Sequence, residues 1–304
     1  MTENRHSGRD VDLSELVQVL WSGKWWLAGI TLAGAALSVL LALSLPNIYR
    51  SEILLSPVDS SLQSSQLGQL GGVAALAGIN LNSSGNKKAT LALEVLQSRE
   101  FVSNFIEQHN LFVPLFAVES WNIHDNSFNY KTGDYDVETG TWLREADPPR
   151  QAKPSLQEAY KEFMLGMEIQ ERKANGTIVV AIEHYSPYLA QRWVTDLVTE
   201  LDYKMKALDM AEATRSLQYL EQQLQKTSVE ELRRALYQLI EEQTKTLMLA
   251  EVSDQYVFKI IDPAIVSEIQ HKPRRALLCI VITLFSALLA GFIVLVRYFS
   301  KRSA

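Results

Sequence analysis

Apolar residues crowd both ends of this chain and thin out between them. Trp25–Leu45 and Ala276–Val296 each run for about 21 residues without a charge. A helix of that length rises roughly 31 Å, the thickness of a bilayer's hydrocarbon core. Lys24 and Arg50 fence the first run; Arg274, Arg275 and Arg297 fence the second. A helix in a water-soluble domain keeps a polar face, so the pattern predicts two membrane-spanning helices, 25–45 and 276–296. Ala42-Leu43-Ser44 has the small-residue spacing of a cleavage site, but the apolar stretch before it exceeds the core of a signal peptide, which predicts an uncleaved anchor. Small residues recur four apart inside both runs: Gly29/Ala33 and Gly34/Ser38, then Ser286/Ala290 and Ala287/Gly291. That spacing lets helix backbones approach closely in lipid, which makes these eight the candidate packing residues of the spans.

Between the runs the periodicity changes repeatedly. Tyr49–Val58 is β-rich and stops at Pro57. Residues 60–86 are dominated by Ser, Gly, Gln and Asn and read as a loop; no Gly-Lys-Ser/Thr follows the glycines, so it is no phosphate cradle. Thr90–His109 has helical spacing, and Ser155–Met167 predicts a second helix entered through Pro154. Thr177–His184 is the clearest strand, preceded by an Asn175-Gly176 turn. Ser186-Pro187 then opens a helix, a capping hydroxyl followed by proline at the first helical position. Its stripe runs Leu189, Trp193, Leu197, Leu201, Met205 and Leu208, then Leu217, Leu220 and Leu224. About 40 residues of helix would extend roughly 60 Å, more than a compact domain can cover. Ser228-Val229-Glu230-Glu231 reads as a capping box that starts a return helix. Tyr256–Ile261 reads as a closing strand ended by Asp262-Pro263. A helix that far from any sheet is stable only when its apolar stripe meets another helix, its own return helix or one of a neighbouring subunit, a geometry that favours oligomerisation.

Two spans put both termini on one side. Arg297, Lys301 and Arg302 in one tail and Arg5, Arg9 and Lys24 in the other favour cytoplasmic ends. Lys272, Arg274 and Arg275 oppose that orientation from the far side, but long loops cross regardless of charge, so the middle is expected outside. The whole chain carries −6; the tails contribute about −1 (residues 1–24) and +3 (276–304), leaving −8 for the middle. An acidic body argues against nucleic acid as a partner and against tight adhesion to anionic lipid. Cys279, the single cysteine, lies within the second run, so no intrachain disulfide can form.

Little here carries chemistry. His6, His109, His124, His184 and His271 are scattered, without the spacing of a metal site. Neither a nucleophile elbow nor a Walker segment occurs. Acid pairs such as Asp134/Asp136 and Glu241/Glu242 read as solvated surface. Catalytic, cofactor and metal sites are all expected to be absent. Trp121, Trp142 and their aromatic neighbours at 112–150 either stack on sugar rings or pack an irregular layer over the core.

The run from Ala235 to Val252 (ALYQLIEEQTKTLMLAEV), continuing as Tyr256–Ala264 (YVFKIIDPA), resembles the Wzz chain-length determinants, the short class of polysaccharide co-polymerases. Val180–Ala190, the Lys272-Pro273-Arg274-Arg275-Ala276 approach to the second span, and Asp12-Leu-Ser-Glu-Leu ahead of Trp25-Trp26 are similar to the same family. One departure is that only Pro263 and Pro273 stand before the second span, with Ser267 where a further proline belongs. The resemblance implies an α+β fold in which two transmembrane helices flank a periplasmic mixed α/β base (46–200 and 253–275) with a long helical hairpin projection at about 186–252. It also implies cytoplasmic tails at 1–24 and 297–304, bell-shaped homo-oligomeric rings in the bacterial inner membrane, and no cofactor. Its implied activity is non-enzymatic: setting the modal chain length of lipopolysaccharide O-antigen, or a related polysaccharide, beside the Wzy polymerase and its lipid-linked polysaccharide. The longer class carries a cytoplasmic tyrosine kinase domain, which is not expected here. Pro263, Pro273, Arg274 and Arg275 join the small-residue faces as candidate site residues. The alternatives are a membrane-anchored periplasmic carbohydrate-binding sensor or adaptor and, with only adventitious carboxylates behind it, a tethered glycan hydrolase.

Overall fold

The computed structural model describes residues 21, 23–58, 84–172 and 174–303. Most of the expected loop at 60–86 and the N-terminal tail, including Asp12-Leu-Ser-Glu-Leu, lie outside the described residues; the last three residues of that expected loop instead open a helix. In chain order the elements are α1 (Lys24–Ser44), β1 (Tyr49–Pro57), α2 (Ser84–Gln97), α3 (Arg99–Gln108), α4 (Phe112–Phe116), β2 (Val118–Asn122), β3 (Ser127–Tyr130), β4 (Tyr135–Asp136), β5 (Thr141–Trp142), α5 (Leu156–Gly166), β6 (Met167–Arg172), β7 (Thr177–His184), α6 (Pro187–Lys226), α7 (Glu230–Val252), β8 (Phe258–Asp262) and α8 (Arg275–Ser303). They form two compact units: Met1–Asn47 with His271–Ala304, and Ile48–Gln270. The first is a pair of helices long and apolar enough to cross a membrane.

The second unit is built on a four-stranded sheet of order β6-β7-β1-β8 with every neighbouring pair antiparallel. The central pair runs in register from Tyr49↔His184 to Leu55↔Ile178. In β1 the side chains alternate, with Tyr49, Ser51, Ile53 and Leu55 buried. In β7 burial is continuous from Ile178 to Ile182, as an unbroken apolar run demands of a strand covered on both faces. Strand β6 has no clear signal in the sequence, because at the sheet edge only Met167 is buried and the rest is Glu, Gln and Arg around Ile169.

Helical packing completes the core. The single helical pattern at 90–109 resolves into α2 and α3, because Ser98 is extended and its hydroxyl accepts from Phe101 N, capping α3. That restart aims Phe101, Val102, Phe105 and Ile106 inward together. Helix α5 starts with a full capping box, Ser155 Oγ accepting from Glu158 N and the Glu158 carboxylate from Ser155 N. Helix α6 is 40 residues long. Its first half buries Trp193, Leu197, Leu201 and Met205 in the core, and beyond Ala213 it has no buried residue. The chain turns at 227–229 and returns as α7, packed on α6 through Leu236 and Ala250. The capping box expected at Ser228 is not formed: the helix begins at Glu230 with Val229 as its cap and no side-chain cap bond. Glu230 and Glu231 still place negative charge on its positive end.

Candidate functional site

The two membrane-length helices α1 and α8 run antiparallel, and four contacts along them fix the register. Gly23 meets Val294, the Arg297 guanidinium lies 5.2 Å from the Trp26 ring, Gly34 meets Ser286, and Arg275 donates to Asn47 Oδ1 at 2.9 Å. A Cβ placed on Gly34 would stand 2.1 Å from Ser286 Oγ, so only glycine lets the backbone come this close. Ser38, Ala42 and Ala290 are buried within the pair. The hydroxyls stay within their own helices, Ser38 Oγ donating to Ala35 O and Ser286 Oγ to Ile282 O. Of the candidate packing residues, Gly34, Ser38, Ser286 and Ala290 thus lie on packed faces, while Ala287 and Gly291 are half-buried. Gly29 and Ala33 are exposed, and a Cβ on Gly29 meets nothing within 4 Å among the described residues. With Trp25, Trp26 and Ile30 they line an open groove instead.

Pro263 ends β8 and is exposed; Pro273, which follows a cis peptide bond, and Arg274 precede α8, which Arg275 opens. The backbone N–H of Arg275 donates to Pro273 O at 2.9 Å.

A polar network ties the foot of the α6–α7 hairpin to the sheet. Asp202 Oδ1 accepts the backbone N–H groups of Tyr256 and Val257 at 2.8 and 2.9 Å. One helical turn up, Lys206 donates to Ser253 O, and its ammonium is 3.7 Å from Asp202 Oδ2. Asp209 Oδ2 accepts from Tyr256 Oη at 2.7 Å and pairs with Lys88 at 2.8 Å, whose ammonium sits 3.4 Å from the Tyr256 ring centroid. Burial, then the Asp209 hydrogen bond and charge, pushes the Tyr256 phenol well above its ordinary value. These residues were not singled out from the sequence. The signal was present: Asp202, Lys206 and Asp209 share one helical face at spacings of four and seven, beside the buried Leu201 and Met205.

The aromatic segment packs partly on itself and partly on Tyr49 and Tyr188. Trp121 lies edge-on to Tyr49 and Tyr188, at 5.6 and 6.0 Å, and its Nε1 donates to Asn126 Oδ1. Trp142 stands 4.9 Å from Tyr135 and 6.5 Å from Phe116. Both indoles are half-buried in ring–ring contacts. Nearby, a cleft of about 180 Å³ is lined by Pro114, Glu162, Phe163, Leu165, His184 and Trp193, among others. His184 is buried with both ring nitrogens bonded: Nε2 to Pro114 O at 3.1 Å, and Nδ1 accepting from Ser186 N at 3.0 Å. Burial pushes its pKa down to about 4. Among the described residues no group of three or more His, Cys, Asp or Glu side chains is placed to hold a metal ion.

Two membrane-length helices bracketing an α+β body with a long helical hairpin define the class of this chain. Residues 9–109 match the family model of Wzz, chain length determinant protein, the family that the sequence resembles. Among solved structures, it is similar to a full-length bacterial polysaccharide co-polymerase (14% identity over 96% of this chain and 99% of that one, TM-score 0.39). It is also similar to a fragment of WzzB, a polysaccharide co-polymerase from Salmonella Typhimurium (12% identity over 74% of this chain and 100% of that one, TM-score 0.27). No curated protein matches it.

Proposed function

We propose that this protein regulates, without being an enzyme, the modal chain length of lipopolysaccharide O-antigen or a related surface polysaccharide. It acts as an oligomeric inner-membrane scaffold beside the Wzy polymerase. The observation that carries this reading is the match of residues 9–109 to the chain length determinant family. In this reading both tails are cytoplasmic, the spans are 25–45 and 276–296, and residues 46–275 form the periplasmic domain. Assembly into a ring is supported by the hairpin itself, which exposes Leu208, Tyr219, Leu232, Leu239 and Leu249 along its length. Apolar side chains on so long a projection are covered when another copy packs beside it. The open Gly29/Ala33 face supports close approach by a helix of another protein in the membrane, the polymerase being the partner this reading assigns to it.

Complementation tests the function. A strain lacking its own length regulator, given this gene, should convert a random polysaccharide ladder into a discrete cluster on a gel; a ladder left random overturns the reading. Gly291→Leu should shift that cluster by adding bulk where a small residue is expected to meet a neighbouring helix, and an unchanged modal length counts against Gly291 as a contact.

A further inference from the structure

The backbone between β8 and α8 is held firmly while its isoleucines point away from the core. Ser51 Oγ of β1 donates to Ile265 O at 2.7 Å, and Gln191 Nε2 of α6 donates to Ala264 O at 3.3 Å. Ala264 itself is buried, and Ser267 Oγ closes a local turn onto Ile269 O at 2.8 Å. On this fixed backbone Ile265 is 71% exposed and Ile269 79%, joined by exposed Val266 and by Ile261 of β8. A single exposed isoleucine is ordinary. Four β-branched apolar side chains within nine residues, on a backbone pinned by hydrogen bonds, make a patch that something covers.

Chain length says what lies within reach. Ile269 is six residues from Arg275, where α8 begins, and an extended chain spans at most about 3.3–3.6 Å per residue, or roughly 20 Å in all. Ser51, which pins the patch, is seven residues beyond Ser44, where α1 ends, or roughly 25 Å. Two short stretches of chain thus limit how far the patch can lie from the ends of both membrane-length helices. Glu268 is the sole acid in residues 263–275, while Lys272 and Arg274 lie between the patch and the second helix, which Arg275 opens, a charge balance suited to lipid phosphates. The patch supplies the apolar contact, and the locally basic stretch beside it offsets the net acidity of the body at this point.

We infer that Ile265 and Ile269, with Val266 beside them, dock the body onto the bilayer at the boundary of headgroups and acyl chains. The inference rests on the membrane-spanning reading of α1 and α8. It is tested on the full-length chain in phospholipid nanodiscs. Cys279→Ser removes the only native thiol, and a spin label is placed at Ile265→Cys or Ile269→Cys. Power saturation then compares collisions with oxygen, which concentrates in lipid, and with a water-soluble nickel chelate. Oxygen should win several-fold at both positions, as at Leu288→Cys on the exposed face of α8, while the chelate wins at Glu241→Cys on the hairpin. Chelate access at 265 and 269 overturns the inference by leaving the patch in water. Protection from both reagents also overturns it, by showing that protein, such as a second copy, covers the patch. Chelate access at Leu288 as well would bring down the spanning reading and this inference with it, an outcome distinct from failure at 265 and 269 alone.

Discussion

At the scale of single residues, two glycines of one helix have opposite surroundings. A Cβ on Gly34 runs into Ser286, whose hydroxyl and Cβ would lie 2.1 and 2.5 Å away, whereas Gly29 has open space. Gly34→Ala should therefore loosen the α1–α8 pair, with overpacking of about 1–3 kcal/mol, and lower the melting temperature of the detergent-solubilised protein. Gly29→Ala should leave it unchanged; equal melting temperatures for the two variants contradict the register described here. His184 makes a pH prediction. Its native pKa is about 4 because of burial, while an unfolded chain takes up that proton near 6.5. Between those values the unfolded state binds more protons, so stability is intact above pH 6.5 and falls as pH drops towards 4, by about 3 kcal/mol in all. Urea unfolding of the wild type and of His184→Asn at pH 7 and pH 4.5 measures this, and the variant should lose less on acidification. Nothing in the sequence around His184 distinguishes a buried, neutral imidazole from a surface one, since its surroundings come from Pro114, 70 positions away, and from the ring of Trp193 on the following helix.

Elements were legible where their signals are local and obscure where they are not. Ser155 with Glu158 and Ser186 with Pro187 announce helices that start where expected, because a cap is satisfied within three residues of itself. Ser98 carried the same chemistry, yet it is hidden inside a continuous helical pattern, so the break between α2 and α3 was missed. The Ser228 box went unused because the turn at 227–229 places Val229, not Ser228, at the cap. The closing strand moved from 256–261 to 258–262 because the backbone amides of Tyr256 and Val257 are taken by Asp202 rather than by a neighbouring strand. Asp202→Ala should strip both donors of their acceptor, weakening the foot of the hairpin by about 1.5–3 kcal/mol. Hydrogen exchange at the 256 and 257 amides should then accelerate while that of the β1–β7 ladder stays slow; unchanged exchange at 256 and 257 would remove Asp202 from this role.

For the whole molecule, the prediction from the hairpin concerns assembly. Leu232→Glu with Leu239→Glu places two charges on side chains that are exposed in a single copy. Such a variant should fold with unaltered helix content by circular dichroism but give a smaller particle by light scattering in detergent. An unaltered particle mass dissociates the hairpin face from assembly. Orientation is read separately: a reporter enzyme that works only in the periplasm, fused at exposed Arg150, should be active, and cytosolic activity of a complementary reporter there reverses the topology.

From the sequence alone come two membrane-length helices, the 40-residue helix and its starting cap, the central strand Thr177–His184, and the likeness to a chain-length determinant. Each is written within a window of consecutive residues as unbroken apolarity, periodicity or a capping pair, and needs no partner from elsewhere. Tertiary structure alone decided which small residues meet across the spans, that β6 joins the sheet edge, that Asp202 reaches Tyr256 from 54 positions away, and that Ile265 and Ile269 face outward. Those outcomes depend on the pairing of distant segments, where a one-residue change of register or helical phase would turn the same side chains to another face.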